Sequence, residues 1–167
     1  GVENTQNPVN LFVNWPGNTG SGFRIPRIDT SVTAIAPTTL TMTQGGAIGY
    51  FVDGVAQFDS RDAFSYDTSA GVDEQPNSGA GVSGDDIWNR DAFVNEGQTF
   101  DPANAHQAGA TYHYHANPPG LRHLLGDSVD YNATTHVYTE NFNGQHSPIL
   151  GWVRDGLPIY GPYGYSD

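Results

Sequence analysis

Apolar residues in this chain come in short runs separated by Gly, Pro, Asn and Asp, and most runs alternate apolar with polar positions. That period suits half-buried strands rather than helices. "LFVNW" (11–15), "FRIPRI" (23–28) and "SVTAIAPTTLTMT" (31–43) are strand candidates. Pro26 suits an edge strand or strand end, and Pro37 divides the third run into two short strands. In "AIGYFVDGVAQFDSRDAF" (47–64), Asp53-Gly54 lies between two apolar segments, a strong hairpin signal. Residues 67–86, "DTSAGVDEQPNSGAGVSGDD", lack apolar periodicity and are predicted to form a long surface loop.

Two segments read differently. "DDIWNRDAFVNEG" (85–97) is predicted as the one substantial helix. Asp85 would cap it, Ile87, Trp88 and Phe93 would share a broad face, and Gly97 would end it. "PPGLRHLLG" (118–126) predicts a short helical turn ending at Gly126. "SVDYNATTHVYTENF" (128–142) predicts a hairpin turning near Asn132-Ala133.

One internal repeat stands out. "IGYFVDGVAQF" (48–58) aligns without gaps with "LGWVRDGLPIY" (150–160). Both read apolar-Gly-aromatic, then two residues, then Asp-Gly, and both end on an aromatic. They predict two equivalent hairpins, adjacent in one sheet or related by a local pseudo-twofold. Too little of the chain repeats for a solenoid. The expected fold is mainly β: an antiparallel β-sandwich or open barrel of short strands and Asp-Gly hairpins. One or two short helices and long loops complete a single domain over residues 1–167.

Composition supports this, with 21 Gly and 11 Pro among 167 residues. A formal net charge of −12, with no lysine, leaves no electrostatic basis for binding nucleic acid or an anionic membrane. No apolar run is long enough to span a bilayer. With no cysteine, disulfides, thiolate ligands and thiol nucleophiles are excluded. The chain begins at Gly1 and shows no signal peptide, which fits a mature secreted chain or one trimmed during preparation. A secreted, cell-surface or periplasmic location is expected. Asn132-Ala133-Thr134 is a glycosylation sequon. Asp67, Asp73, Glu74, Asp85 and Asp86 could hold calcium, but their spacing follows no calcium loop, and a solvated loop is the simpler reading.

The chemistry concentrates in "TYHYHANPPG" (111–120). On a strand, His113 and His115 share one face, roughly 6–7 Å apart at Cα, while Tyr112 and Tyr114 face the other way into core. Two imidazoles so placed can converge on one metal ion, or they can form a hydrogen-bonded or stacked pair. His106, His123 and His146 are further donors, and His136 reads as a surface residue. With no thiolates available, copper or zinc is the expected ion. Nucleophilic catalysis has less support. Ser147 and His146 are sequence neighbours that point opposite ways on an extended segment, and no Gly-x-Ser-x-Gly elbow is present. Paired carboxylates for glycoside hydrolysis cannot be singled out among eighteen acids. "GNTGSG" (17–22) lacks the Lys and helix of a phosphate loop.

The motif Tyr112-His113-Tyr114-His115 resembles the one that names the YHYH-domain family of secreted or surface proteins. "HSPILGWVRDGLPIYGPYGY" (146–165) is similar to the family's second hallmark, and "IGYFVDGVAQFD" (48–59) to an upstream segment, so the resemblance spans roughly residues 45–165. It implies metal ligation by His113, His115 and His146, with His106 matching an upstream family histidine, in a family largely without an assigned activity. Two departures stand out. Cysteines that many members carry are absent from "FDPANAH" and "NPPGLRH". The chain also stops at Asp167, where family domains usually continue, which suggests truncation and an unfilled sheet edge open to self-association or strand addition. The leading expectation is an extracellular metal-binding domain. The alternatives are a structural or assembly module of a matrix or filament, and a metal-dependent hydrolase or oxidoreductase.

Overall fold

A computed structural model describes residues 46–74, 84–85 and 87–165. The strand candidates at 11–15, 23–28 and 31–43, and Asp86, lie outside the described residues. Eleven short strands dominate: β1 (Ala47–Phe51), β2 (Ala56–Phe58), β3 (Arg61–Asp67), β4 (Val72–Asp73), β5 (Asn89–Asp91), β6 (Ala105–Ala108), β7 (Thr111–Tyr114), β8 (Val129–Asn132), β9 (Val137–Glu140), β10 (Ile149–Val153) and β11 (Pro158–Tyr160). Two short helices, α1 (Ala92–Glu96) and α2 (Pro119–Leu124), and a 3₁₀ turn, Gly97–Thr99, complete the described elements. The main sheet runs β11-β10-β1-β2-β7-β6, flanked by the β4-β3-β5 sheet and the β8-β9 hairpin, and none closes into a barrel. The mainly β expectation holds. One pair departs from the antiparallel pattern: β2 and β7 run parallel, with Ala56 opposite His113 and Gln57 opposite Tyr114. No tight hairpin joins these two strands, so nothing local imposes the antiparallel sense. Among the described residues no helix is long and apolar enough to cross a membrane.

The repeat forms the centre of this sheet. In each copy a turn precedes a glycine with positive φ: Gly54 at +83° and Gly156 at +87°. Gly54 N donates to Phe51 O at 3.0 Å, and Gly156 N donates to Val153 O at 2.9 Å. β1 and β10 pair antiparallel, with Tyr50 opposite Trp152, Gly49 opposite Val153 and Phe51 opposite Gly151. Tyr50 and Trp152 hold the same place in the repeat, so a pseudo-twofold passes through that pair. Val52 N donating to Leu150 O at 2.8 Å and Arg154 N donating to Ile48 O at 2.9 Å obey the same symmetry. Glycine is required beside the axis: a Cβ on Gly151 would lie 2.3 Å from Tyr50 O, and one on Gly49 2.7 Å from Trp152 O.

Phe51, Ala105, Tyr114, Leu121 and Leu150 form the core, with Val55, Ala103, Tyr112 and Ile159 packed against it. The tyrosines of the His-Tyr strand therefore face the core side, as alternation predicts. Tyr112 donates to Asp101 Oδ2 at 2.5 Å and Tyr114 to Asp53 Oδ2 at 3.2 Å.

The helix expected over 85–97 is a correction. Asp85 is not its cap: both Thr68 N and Thr68 Oγ1 donate to its Oδ2, at 3.0 and 2.6 Å. Asn89–Asp91 instead pairs with β3, which offers an open edge, and Ile87 and Trp88 are exposed. Helix begins only at Ala92, where Asp91 accepts from Val94 N at 3.0 Å. Sheet pairing has overridden the local helical pattern. The stretch 67–86, read as loop, opens with β4 paired to Tyr66 and Asp67 across Gly71, whose φ is +69°. Residues 75–83 lie outside the described residues. The short helix at 119–124 and the hairpin turning at 132–137 stand where expected.

The HSPI and GPY motifs surround a buried arginine. Arg122 is 0% exposed. Its Nε donates to Asp127 Oδ2 at 2.5 Å and its guanidinium also donates to both Glu140 oxygens. Ser147 donates to Asp127 at 3.0 Å and accepts from Tyr163 N at 3.2 Å, while Tyr163 O accepts from Ser147 N at 2.8 Å. A Cβ on Gly161 would lie 2.6 Å from Ser147 Oγ. Those motif residues are accounted for by satisfying one buried charge.

Candidate metal centre

His106 and His113 are direct cross-strand partners in the β6–β7 pair. His115 follows two residues after His113, just past the end of β7, and so returns to the same face. The three rings converge through Nε2: His106 lies 3.0 Å from His113, and His113 lies 3.0 Å from His115. Glu96, the last residue of α1, places Oε2 2.8 Å from His106 Nε2 and 3.4 Å from His115 Nε2. All four ligand atoms lie within 4.8 Å of one another.

The outer nitrogens decide what the inner ones can do. His113 Nδ1 lies 3.1 Å from Thr111 O, and His115 Nδ1 lies 2.6 Å from Asp59 O. A carbonyl oxygen only accepts, so each Nδ1 carries the proton and each neutral ring leaves its Nε2 lone pair bare. Thr99 Oγ1 donates to Glu96 O at 2.7 Å, which leaves its lone pair to accept from His106 Nδ1 at 2.8 Å. Three lone pairs and a carboxylate thus point at one spot. Lone pairs cannot hydrogen-bond to each other, so only a cation or added protons reconcile them.

The donor set fits a small transition-metal ion. A tetrahedral ion with bonds of about 2.0–2.1 Å sets its ligand atoms about 3.3 Å apart. Imidazole nitrogen with one carboxylate suits zinc or copper(II). Phe58 stacks on His113 with ring centroids 3.8 Å apart, and Phe100 lies edge-on to His106 at 4.9 Å, so the rings sit in an apolar wall. His113 is 1% exposed, whereas the Glu96 side chain is 23% exposed, so solvent reaches the group from the Glu96 side.

Burial pushes the His113 imidazole down to about 4, which keeps it neutral. Burial also opposes protonation of His115, but the Glu96 carboxylate and the Asp59 carbonyl outweigh it and raise its pKa. For Glu96, burial disfavours the charge, yet hydrogen bonds with His106, His115 and Asp62 hold the carboxyl well below its usual range. Asp62, 3% exposed, is raised by burial and by its bond to Glu96, against the pull of Arg90, whose Nε donates to it at 2.9 Å.

Of the four histidines expected as ligands, His106, His113 and His115 come together and His146 does not. His146 precedes β10, which stands three strand spacings from β7 in the sheet, about 14 Å at roughly 4.8 Å each. Its Nδ1 bonds Ser147 O at 2.6 Å and its ring contacts Tyr160 and Tyr165. His123 donates to Val129 O, and His136 is exposed as expected. The residue missed from sequence is Glu96, one of eighteen acids with no local pattern to distinguish it. Of the carboxylates suggested for calcium, Asp67 Oδ1 accepts from Ser69 and Ala70, and Asp85 accepts from Thr68 and Ile87.

Comparison with curated proteins and with solved structures returns no match. The family model described as YHYH protein matches residues 22–167, a span that includes the histidine strand, Glu96 and both copies of the hairpin repeat. On that match the chain belongs to the YHYH family.

Proposed function

We propose that this chain is an extracellular metal-binding domain that takes up one zinc or copper(II) ion through His106, His113, His115 and Glu96. The observation that carries the reading is the tautomer pattern. All three Nδ1 protons are engaged, so three Nε2 lone pairs converge beside a carboxylate within 4.8 Å. The net charge of −12 favours cation approach.

A bound ion would join α1, β6 and β7 and act as a cross-link. Four protein donors match the closed pattern of structural sites more closely than the open pattern of hydrolytic ones. The test is metal analysis of untagged chain purified without a metal-affinity column, followed by titration with zinc and copper. Uptake of about one ion per chain is expected. Absence of stoichiometric uptake of either ion would sink the reading.

A further inference from the structure

Two of the three supports behind the histidines are main-chain carbonyls, Thr111 O and Asp59 O. The third is a hydroxyl, Thr99 Oγ1, 2.8 Å from His106 Nδ1. This difference has a chemical consequence. A carbonyl accepts in every state, so it holds the ring in the ligating tautomer unconditionally. A hydroxyl can accept or donate. If it donated to Nδ1, the neutral ring would carry its proton on Nε2 and could not bind metal through that atom.

What settles the direction is the second bond of Thr99. Its single proton goes to Glu96 O at 2.7 Å. Glu96 ends α1 and Thr99 ends the 3₁₀ turn that follows, so the hydroxyl reaches back three residues to the carbonyl at which α1 gives way to that turn. The main chain of the carboxylate ligand therefore commits the hydroxyl proton, and only then does Thr99 accept from His106. Phe100, 2% exposed, fixes the adjoining residue and lays its ring against His106 at a centroid distance of 4.9 Å.

We propose that Thr99 is the positioning residue of this centre. It couples the placement of Glu96 to the ligating tautomer of His106, so these two ligands, from different elements, are organised as a unit. His113 and His115 are held independently by their carbonyls. The inference rests on the metal-binding reading above.

The experiment titrates untagged full chain with zinc and with cobalt(II), comparing the unchanged sequence with Thr99→Val and Thr99→Ser. Valine keeps the shape and removes the hydroxyl; serine keeps the hydroxyl. Loss of an outer support of this kind weakens metal binding about 10–100-fold, so that drop is expected for valine, with serine within about threefold of the unchanged chain. The cobalt visible spectrum should change for valine and be restored by serine. Valine binding with unchanged affinity and spectrum overturns the inference, as does serine losing as much as valine. If the valine chain does not fold, the serine chain carries the test through its affinity and spectrum. An unchanged chain that binds none of zinc, copper or cobalt overturns the metal-binding reading itself, which separates the two failures.

Discussion

His106 and His113 stand directly opposite one another in the β6–β7 pair, with their Nε2 atoms 3.0 Å apart. Paired strands bring opposite Cβ atoms to about 5 Å, so one register choice is enough to bring two imidazoles together. A slip of one residue would send His106 to the tyrosine face. Ala105 opposite Tyr114 and Gln107 opposite Tyr112 flank this pair, and buried Ala105 belongs to the core. The packing that holds the core therefore also sets the histidine register.

His113→Ala should abolish stoichiometric zinc or copper uptake, because it removes the central ring of the three. His146→Ala should leave affinity within about twofold, since His146 leads into a strand three spacings, or about 14 Å, from β7. Calorimetric titration of both chains checks this, and equal losses would contradict the assignment of ligands.

Glu96→Gln keeps the side chain's shape and removes its charge. Zinc affinity should fall by at least about 10-fold, because a metal ligand weighs no less than the supports behind it. The far-UV circular dichroism of the metal-free chain should be unchanged.

Metal affinity should fall as pH falls, and the decline should begin above the ordinary imidazole value. His115 has a raised pKa, so protons compete for its Nε2 early, whereas His113, pushed down to about 4, stays neutral through that range. Each proton displaced by the metal contributes about tenfold per pH unit. Competition titrations between about pH 7.5 and about pH 5.5, spanning the free imidazole value, measure the slope. A flat profile would count against His115 as a ligand.

Arg122→Met should destabilise the fold by about 3–5 kcal/mol, because it strands buried Asp127 without its cation. Burial alone would raise the pKa of Asp127, but Arg122 and the bonds from Ser128 and Ser147 bring it below the usual range. The folded carboxyl thus binds its proton more weakly than the unfolded one. Its contribution is full above the unfolded value near about 3.9 and is lost as pH falls through the lower folded value. Urea unfolding across the acid range should show that loss in the unchanged chain and a smaller one in Arg122→Met.

Local pattern made part of this protein readable. Alternation alone places His113 and His115 on one face and Tyr112 and Tyr114 on the other, because strand side chains alternate whatever lies beyond the strand. The Asp53-Gly54 and Asp155-Gly156 turns were equally local, since only a residue tolerant of positive φ fits Gly54 and Gly156. The repeat of 48–58 in 150–160 carried its own pseudo-twofold, because both copies had to bury the same glycine-aromatic edge.

Tertiary structure decided the rest. Asn89–Asp91 looked helical until the edge of β3 claimed it. His146 sits in a motif as long and specific as the histidine strand, yet two strands intervene between β10 and β7. Its neighbours Ser147 and Tyr163 help enclose Arg122 instead. Glu96 could not be singled out in advance, because its place depends on α1 packing beside β3 and β5 and not on any spacing to His106. Local stereochemistry determines which face a side chain takes. Which faces meet is a matter of long-range pairing and packing, and in this chain that step supplies the fourth donor.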